Sequence, residues 1–249
     1  MKLGFRDMYE VSLGADFVSK NEGQELLEHY EAGEKMTTSC CPAFVSLIKK
    51  HYPQVLKYMS TTVSPMTATG RLIKAMHPDA VCVFIGPCIA KKSEVIDSIT
   101  FGGADYAMTY EELASMFEAK NIDPEECTET MQQGSKFGKQ YSVSGGVTAA
   151  VLETFKEANK EVDLKVKTCS GAQECKKALM LLKVGKLPED FIEGMACVGG
   201  CVNGPAMLGK SRTFLKDRNG QIAKADDRGV LENVAQYDEY GINMTRNHQ

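Results

Sequence analysis

Three groups of cysteines set the chemical question. Cys40 and Cys41 are adjacent in TTSCCPAFVSLIKKHYP, Cys88 lies in GPCIAKK, and Cys197 and Cys201 lie in MACVGGCVNGP. All three groups fall on expected loops: the first precedes Pro42 and an apolar helical pattern, and the others follow strand-like apolar runs. A Cys-x-x-x-Cys spacing enclosing Gly199 and Gly200 lets the backbone fold tightly around a bulky inorganic centre while one turn offers two thiolates. Pro42 suits the first turn of a helix, which puts Cys41 near the N-cap, where unpaired N–H groups and the helix dipole stabilise a thiolate or an anionic cluster. Four or five thiols suffice for one iron-sulfur cluster. Structural zinc usually takes two ligands from each of two Cys-x2-Cys knuckles, which this set lacks, and zinc stands as the alternative metal.

The remaining composition narrows the function classes. The chain has 249 residues, nine of them cysteine, with 43% hydrophobic and 25% charged residues and a net charge of -4, which suits a globular protein and argues against nucleic-acid binding. MKLGFRDMYE lacks the apolar core and cleavage site of a secretory leader, so a cytoplasmic location is expected. There a disulfide scaffold is disfavoured and metal or thiol chemistry gains weight. AVCVFIGPCIA is too short to span a bilayer and contains Pro87, so no membrane span is expected.

The elements that must position these cysteines alternate between helix and strand. Ser19 and Glu22 form a capping-box pattern for a helix ending near Gly33, and Phe44, Val45, Leu47 and Ile48 make the apolar face of the next helix. AVCVFIG reads as a buried strand, and TYEELASMFEAKNI as a helix with a capping box at Thr109 and Glu112. SGGVTAAVLETFKEA reads as a glycine-rich loop opening a helix, VDLKVKTCSG as a strand and turn, AQECKKALMLLKVG as a helix, and FIEGMACVGG as a strand entering a glycine turn. Such alternation implies a mainly parallel α/β sheet whose C-terminal strand ends carry the site. The last thirty or so residues are polar, weakly periodic and unassigned.

TSCCPAF, GPCIAKKSE and EGMACVGGCVNGP, in this order and at this separation, resemble the three signature segments of the FeFe-hydrogenase catalytic domain. The likeness extends to EVSLGAD, to SGGV at 144–147 and to the helix carrying Glu22 and Glu25. It implies a single catalytic domain over residues 1–249, with two lobes of mainly parallel β-sheet flanked by helices and the metal cluster in the cleft between them. It also implies an H-cluster: a 4Fe-4S cubane on Cys41, Cys88, Cys197 and Cys201, joined through Cys201 to a di-iron unit bearing CO, CN and a bridging dithiolate.

The same resemblance assigns roles to further residues. Cys40 would pass protons at the open iron, with Glu22, Ser60 and Glu25 as the onward route and His29 one helical turn beyond, where relatives often carry arginine. Lys91 would contact a cyanide and Met195 would pack near the bridging carbonyl. Each residue has a plainer role beside this one: Glu22 a helix cap, Glu25 a solvated position, Ser60 a turn cap, Met195 a core filler, Lys91 an exposed lysine. Cys82 is expected to be a buried hydrophobe, and Cys127, Cys169 and Cys175 have no signature context; His29, His51, His77 and His248 show no ligand spacing.

The sequence also departs from the family pattern. Gly86 stands where many relatives have methionine, which would open space beside the di-iron unit; Phe44 replaces a common tryptophan, and CVNGPAM replaces a glycine run. The family's ferredoxin-like modules and an initial strand and helix would precede LGFRDMYEV, so the first lobe is expected to be truncated at its N-terminus, with an exposed edge or apolar face. Three functions stay open. One is reversible H2 oxidation with a ferredoxin-like electron carrier or partner subunit and maturation proteins for the di-iron unit. The others are an H2-sensing or regulatory protein with low turnover, and a cubane-only relative of the iron-sulfur assembly factors.

Overall fold

In the computed structural model, which describes residues 1–97, 101–126 and 131–246, the first helix outruns its sequence signal. α1 spans Val11–Glu31 without a break, so Ser19 is not an N-cap; its buried hydroxyl donates to the Ala15 carbonyl at 2.8 Å, and Glu22 lies fully buried in mid-helix. The helix passes through the capping pattern because Leu13, Ala15, Phe17 and Val18 upstream are buried, and tertiary packing outweighs a local cap. α1 packs on α3 (Pro65–Met76), α6 (Lys136–Gln140), α7 (Gly146–Glu157) and α10 (Val230–Ala235). Asp16 ties these helices together, accepting from Ser135 N–H at 2.7 Å, Ser135 Oγ at 2.6 Å and Asn233 Nδ2 at 2.7 Å. Burial pushes its carboxyl up to about 6, against the pull of those hydrogen bonds.

Two parallel sheets carry the cysteine loops. The first has the order β1 (Met36–Thr37), β5 (Phe191–Met195), β4 (Val166–Ser170), with every residue of central β5 buried. The second pairs β2 (Val83–Ile85) with β3 (Tyr106–Met108). β2 is half-buried rather than buried, since on this pair Tyr106 and the preceding Val81 stand 63% and 70% exposed. The expected α/β architecture of parallel sheets flanked by helices is present.

Local signals placed most other elements. Pro42 opens α2 (Pro42–His51) with Cys41 at its N-cap. Thr109 and Glu112 form the reciprocal capping box of α5 (Tyr110–Ala119), at 3.2 Å and 2.7 Å. α4 (Ala90–Glu94) follows Cys88, and α8 (Ala172–Lys183) covers the first sheet together with α2. The unassigned C-terminal stretch begins at the end of α9 (Ser211–Ile222) and contains α10, which is too short to show a period yet buries Val230, Asn233 and Val234. Among the described residues no helix is long and apolar enough to cross a membrane.

Candidate metal centre

Cys41 follows β1, Cys88 follows β2, and Cys197 and Cys201 follow β5, so strand ends of both sheets deliver thiols to one place. Each of Cys41, Cys197 and Cys201 is raised first by burial and then by neighbouring thiols of this same set, Cys201 up to about 12. Backbone N–H groups of Ala196 and Phe44 pull Cys41 the other way. A buried thiol group of this kind stays protonated unless a cationic centre compensates it. Among the described residues no three His, Cys, Asp or Glu donors close on a point fit for a single ion. The four cysteines include one Cys-x-x-x-Cys pair and lack the paired knuckles of structural zinc, which suits an iron-sulfur cluster.

The loop between Cys197 and Cys201 needs its glycines. Gly199 and Gly200 take φ of +80° and +99°, and a Cβ on Gly200 would lie 2.6 Å from the Ser142 carbonyl oxygen. Gly200 bridges Val143, and Ser144 N–H donates to the Gly199 carbonyl at 3.1 Å, so the SGGV loop rests directly on the Cys197–Cys201 turn. Glu193 fixes that loop from below: fully buried in β5, it accepts from Gly145 N–H at 2.7 Å, Thr148 N–H at 2.9 Å and Thr148 Oγ1 at 2.7 Å.

Lys91 is buried, unlike Lys92, which pairs with Glu112 at the surface. Its Nζ donates to Ser64 Oγ, the N-cap of α3, at 2.8 Å and to Glu94 Oε2 at 2.6 Å. Among the described residues these two bonds leave one ammonium proton for an anionic ligand. Met195 ends β5 and shares an apolar cluster with Cys40, Tyr141 and Cys201. Gly86 does not open space: a Cβ there would lie 2.6 Å from Phe84 Cζ, so the aromatic ring already fills the volume. Phe44 is fully buried with its ring against Gly194, where no side chain competes.

The four acid-base candidates come together as a chain. Cys40 is 8% exposed, and its thiol is raised well above the ordinary value, first by burial and then by the Glu22 carboxyl. Glu22 is raised to about 8 by burial and by the charge of Glu25, with Ser39, Ser60 and Tyr141 opposing. Its Oε2 accepts from Tyr141 OH at 3.4 Å, and its Oε1 has no partner among the described residues. Ser60 Oγ donates to Glu25 Oε2 at 2.7 Å, and Glu25 also accepts from Thr61 N–H at 2.7 Å and Thr62 Oγ1 at 3.1 Å. His29 does not extend this line; its Nδ1 lies 3.2 Å from Glu34 Oε2. Cys82, Cys169 and Cys175 are buried as hydrophobes, while Cys127 and His248 lie outside the described residues.

Tyr141, Glu193, Glu94 and Arg246 join the site without having been singled out from sequence. Tyr141 and Glu193 were within reach of such reasoning, because they flank SGGV and open EGMACVGGC. Arg246 sits in the unassigned stretch, and no local signal marks it.

Comparison with known proteins gives a consistent result. The family model described as iron only hydrogenase large subunit, C-terminal domain, matches residues 1–205. The periplasmic Fe hydrogenase large subunit of Nitratidesulfovibrio vulgaris is 31% identical over 258 residues, covering 84% of this chain and 61% of that protein. Iron hydrogenase 1 of Clostridium pasteurianum is 27% identical over 293 residues, covering 100% of this chain and 50% of that one. The chain therefore spans less than two thirds of these hydrogenases. A cytosolic Fe-S cluster assembly factor of Danio rerio is 25% identical over 296 residues, covering 95% and 72%. A solved FeFe-hydrogenase from Chlamydomonas reinhardtii has the same fold, with a TM-score of 0.75 at 21% identity over 98% of this chain and 84% of that one.

Proposed function

Because the chain belongs to the family of the iron-only hydrogenase large subunit, C-terminal domain, we propose that it interconverts H2 with protons and electrons at an H-cluster held by Cys41, Cys88, Cys197 and Cys201. The observation that carries this proposal is a buried thiol, Cys40, placed between the four converging cysteines and a carboxyl chain leading away from them. When bound, the H-cluster supplies an open iron and a bridge base that cleave H2 heterolytically.

The protein's own residues bind, shield and move protons. Cys41, Cys88, Cys197 and Cys201 would hold the cubane, and Cys201 would also join it to the di-iron unit. Lys91 Nζ, steadied by Ser64 and Glu94, would offer a charge-assisted hydrogen bond to a cyanide, and the buried Met195 would help exclude water. Cys40 Sγ exchanges a proton with the Glu22 carboxyl, and Ser60 Oγ links Glu22 to Glu25, which is only half-buried. A carboxyl near 8 is matched to work close to neutral pH, because it exists there in both protonation states. Ile89 and Val198, next to Cys88 and Cys197, are 55% and 71% exposed, and this apolar rim is the approach for a ferredoxin-like electron carrier. The activity resides in one catalytic domain spanning 1–249.

The test is anaerobic reconstitution of the cubane, addition of a synthetic di-iron precursor, and then an infrared spectrum in the CO and CN region with H2 evolution on the same sample. Protein-bound bands with H2 production are the expected result. Bands without turnover would instead assign a sensing or regulatory role. Similarity to the assembly factor favours a second reading, a cubane-only protein, which predicts about four irons per chain and no bound CO or CN under any maturation condition. Against it stand Cys40, Lys91 and Met195, for which a cubane alone has little use.

A further inference from the structure

The segment without a sequence signal closes over the proton route. Residues 243–246 run antiparallel to residues 61–63: Val63 N–H donates to the Met244 carbonyl at 2.9 Å, Arg246 N–H donates to the Thr61 carbonyl at 2.7 Å, and Thr62 pairs with Thr245. Arg71 of α3 holds the segment from outside, with Nη1 donating to the Asn243 and Thr245 carbonyls at 2.5 Å and 3.1 Å.

The Arg246 side chain turns inward and is 4% exposed. Its Nη2 donates to the Ser39 carbonyl at 2.9 Å and its Nε to the Thr62 carbonyl at 3.2 Å. Ser39 immediately precedes Cys40, and its own Oγ donates to the Thr62 carbonyl at 2.5 Å. Thr61 and Thr62 in turn hold both oxygens of Glu25, and Ser60 stands beside them. One guanidinium therefore joins the peptide that aims Cys40 to the loop that aims Ser60 and Glu25. Burying an arginine is costly unless its donors are used, and here two carbonyls on different segments use them in a planar fork.

We propose that Arg246 is a positioning residue of the proton route: its fork sets the Cys40 thiol against the Ser60–Thr62 loop that holds Glu25. This rests on the hydrogenase reading for its consequence in turnover, but the geometry is testable without it. A lysine would keep the charge yet gather its donors on one nitrogen in place of the planar fork, so charge and geometry separate experimentally.

Arg246→Met and Arg246→Lys are compared with the parent chain, first carrying the cubane alone and then the di-iron unit. In cubane-loaded protein, iodoacetamide alkylation of Cys40, located by peptide mass mapping, is expected to accelerate about tenfold or more in both variants while iron content stays at the parent level. In fully loaded protein, H2 evolution per centre, normalised to the CO bands, is expected to fall about tenfold or more with an enlarged solvent isotope effect. Parent-level alkylation and turnover in both variants would overturn the proposal. So would full rescue by lysine, which would leave only charge, or an activity loss that merely tracks lost iron, which would leave only stability. Should Arg246→Met fail to fold, Arg246→Gln replaces it in the same comparison. A parent chain with bound CO and CN but no H2 evolution would refute the hydrogenase reading, and the alkylation rates would still decide the place of Arg246.

Discussion

Replacing Glu22 by glutamine should stabilise the protein increasingly as pH rises. Glu22 is fully buried, one oxygen lacks a partner among the described residues, and its carboxyl is raised from 4.5 to about 8 by burial and by Glu25. Between those values the folded chain holds a proton that the unfolded chain has lost, so the parent loses stability as pH climbs from about 4.5 to 8. The linkage gives a cost of roughly 1 kcal/mol at pH 5, 3 kcal/mol at pH 7 and 4 kcal/mol at pH 8. Glutamine, neutral throughout, escapes it and keeps the shape. Urea unfolding of the anaerobic, metal-free parent and Glu22→Gln chains at pH 5, 6, 7 and 8 measures the difference. The gap should widen by roughly 3 kcal/mol across that range. Curves that stay parallel would refute the raised carboxyl, and a variant less stable at pH 8 than the parent would show that the ionised form is well solvated in place. Loss of H2 evolution in the same variant would separately assign the proton to this group.

Cys40→Ala should keep the cubane iron and the CO and CN bands while H2 evolution falls by about 100-fold or more, because the first proton acceptor is gone; unchanged turnover would remove Cys40 from the route. Gly194→Ala places a Cβ 2.3 Å from Phe44 Cε1 and should cost about 1–3 kcal/mol in urea unfolding, with Phe44→Leu in the same chain recovering part of it. Thr109→Ala removes the reciprocal cap of α5 and should cost about 1 kcal/mol without affecting iron binding.

What the sequence disclosed and what it hid follow from distance along the chain. Cys41 before Pro42, the Thr109–Glu112 box and the glycine pair between Cys197 and Cys201 are local patterns, and each is read within a few residues. Lys91 resembled an exposed lysine because its partner Ser64 sits on another element. Glu193 drew no notice, because the groups that donate to its carboxylate belong to Gly145 and Thr148 at the start of α7, remote in the chain. Ser19 and Glu22 show the opposite failure: a genuine local signal loses to helix packing that periodicity over so many small residues, including Gly14, Ala15 and Gly23, did not reveal. Arg246 combined both obstacles, being remote from Ser39 and embedded in a polar stretch.

The two sheets are unequally insulated. β5, with Cys197 and Cys201 beyond it, is buried along its whole length between two neighbours, whereas β2, leading to Cys88 and Lys91, has one described partner and half-exposed residues. Backbone amides of the β2–β3 pair are therefore expected to exchange with solvent before those of β5, through an opening short of global unfolding.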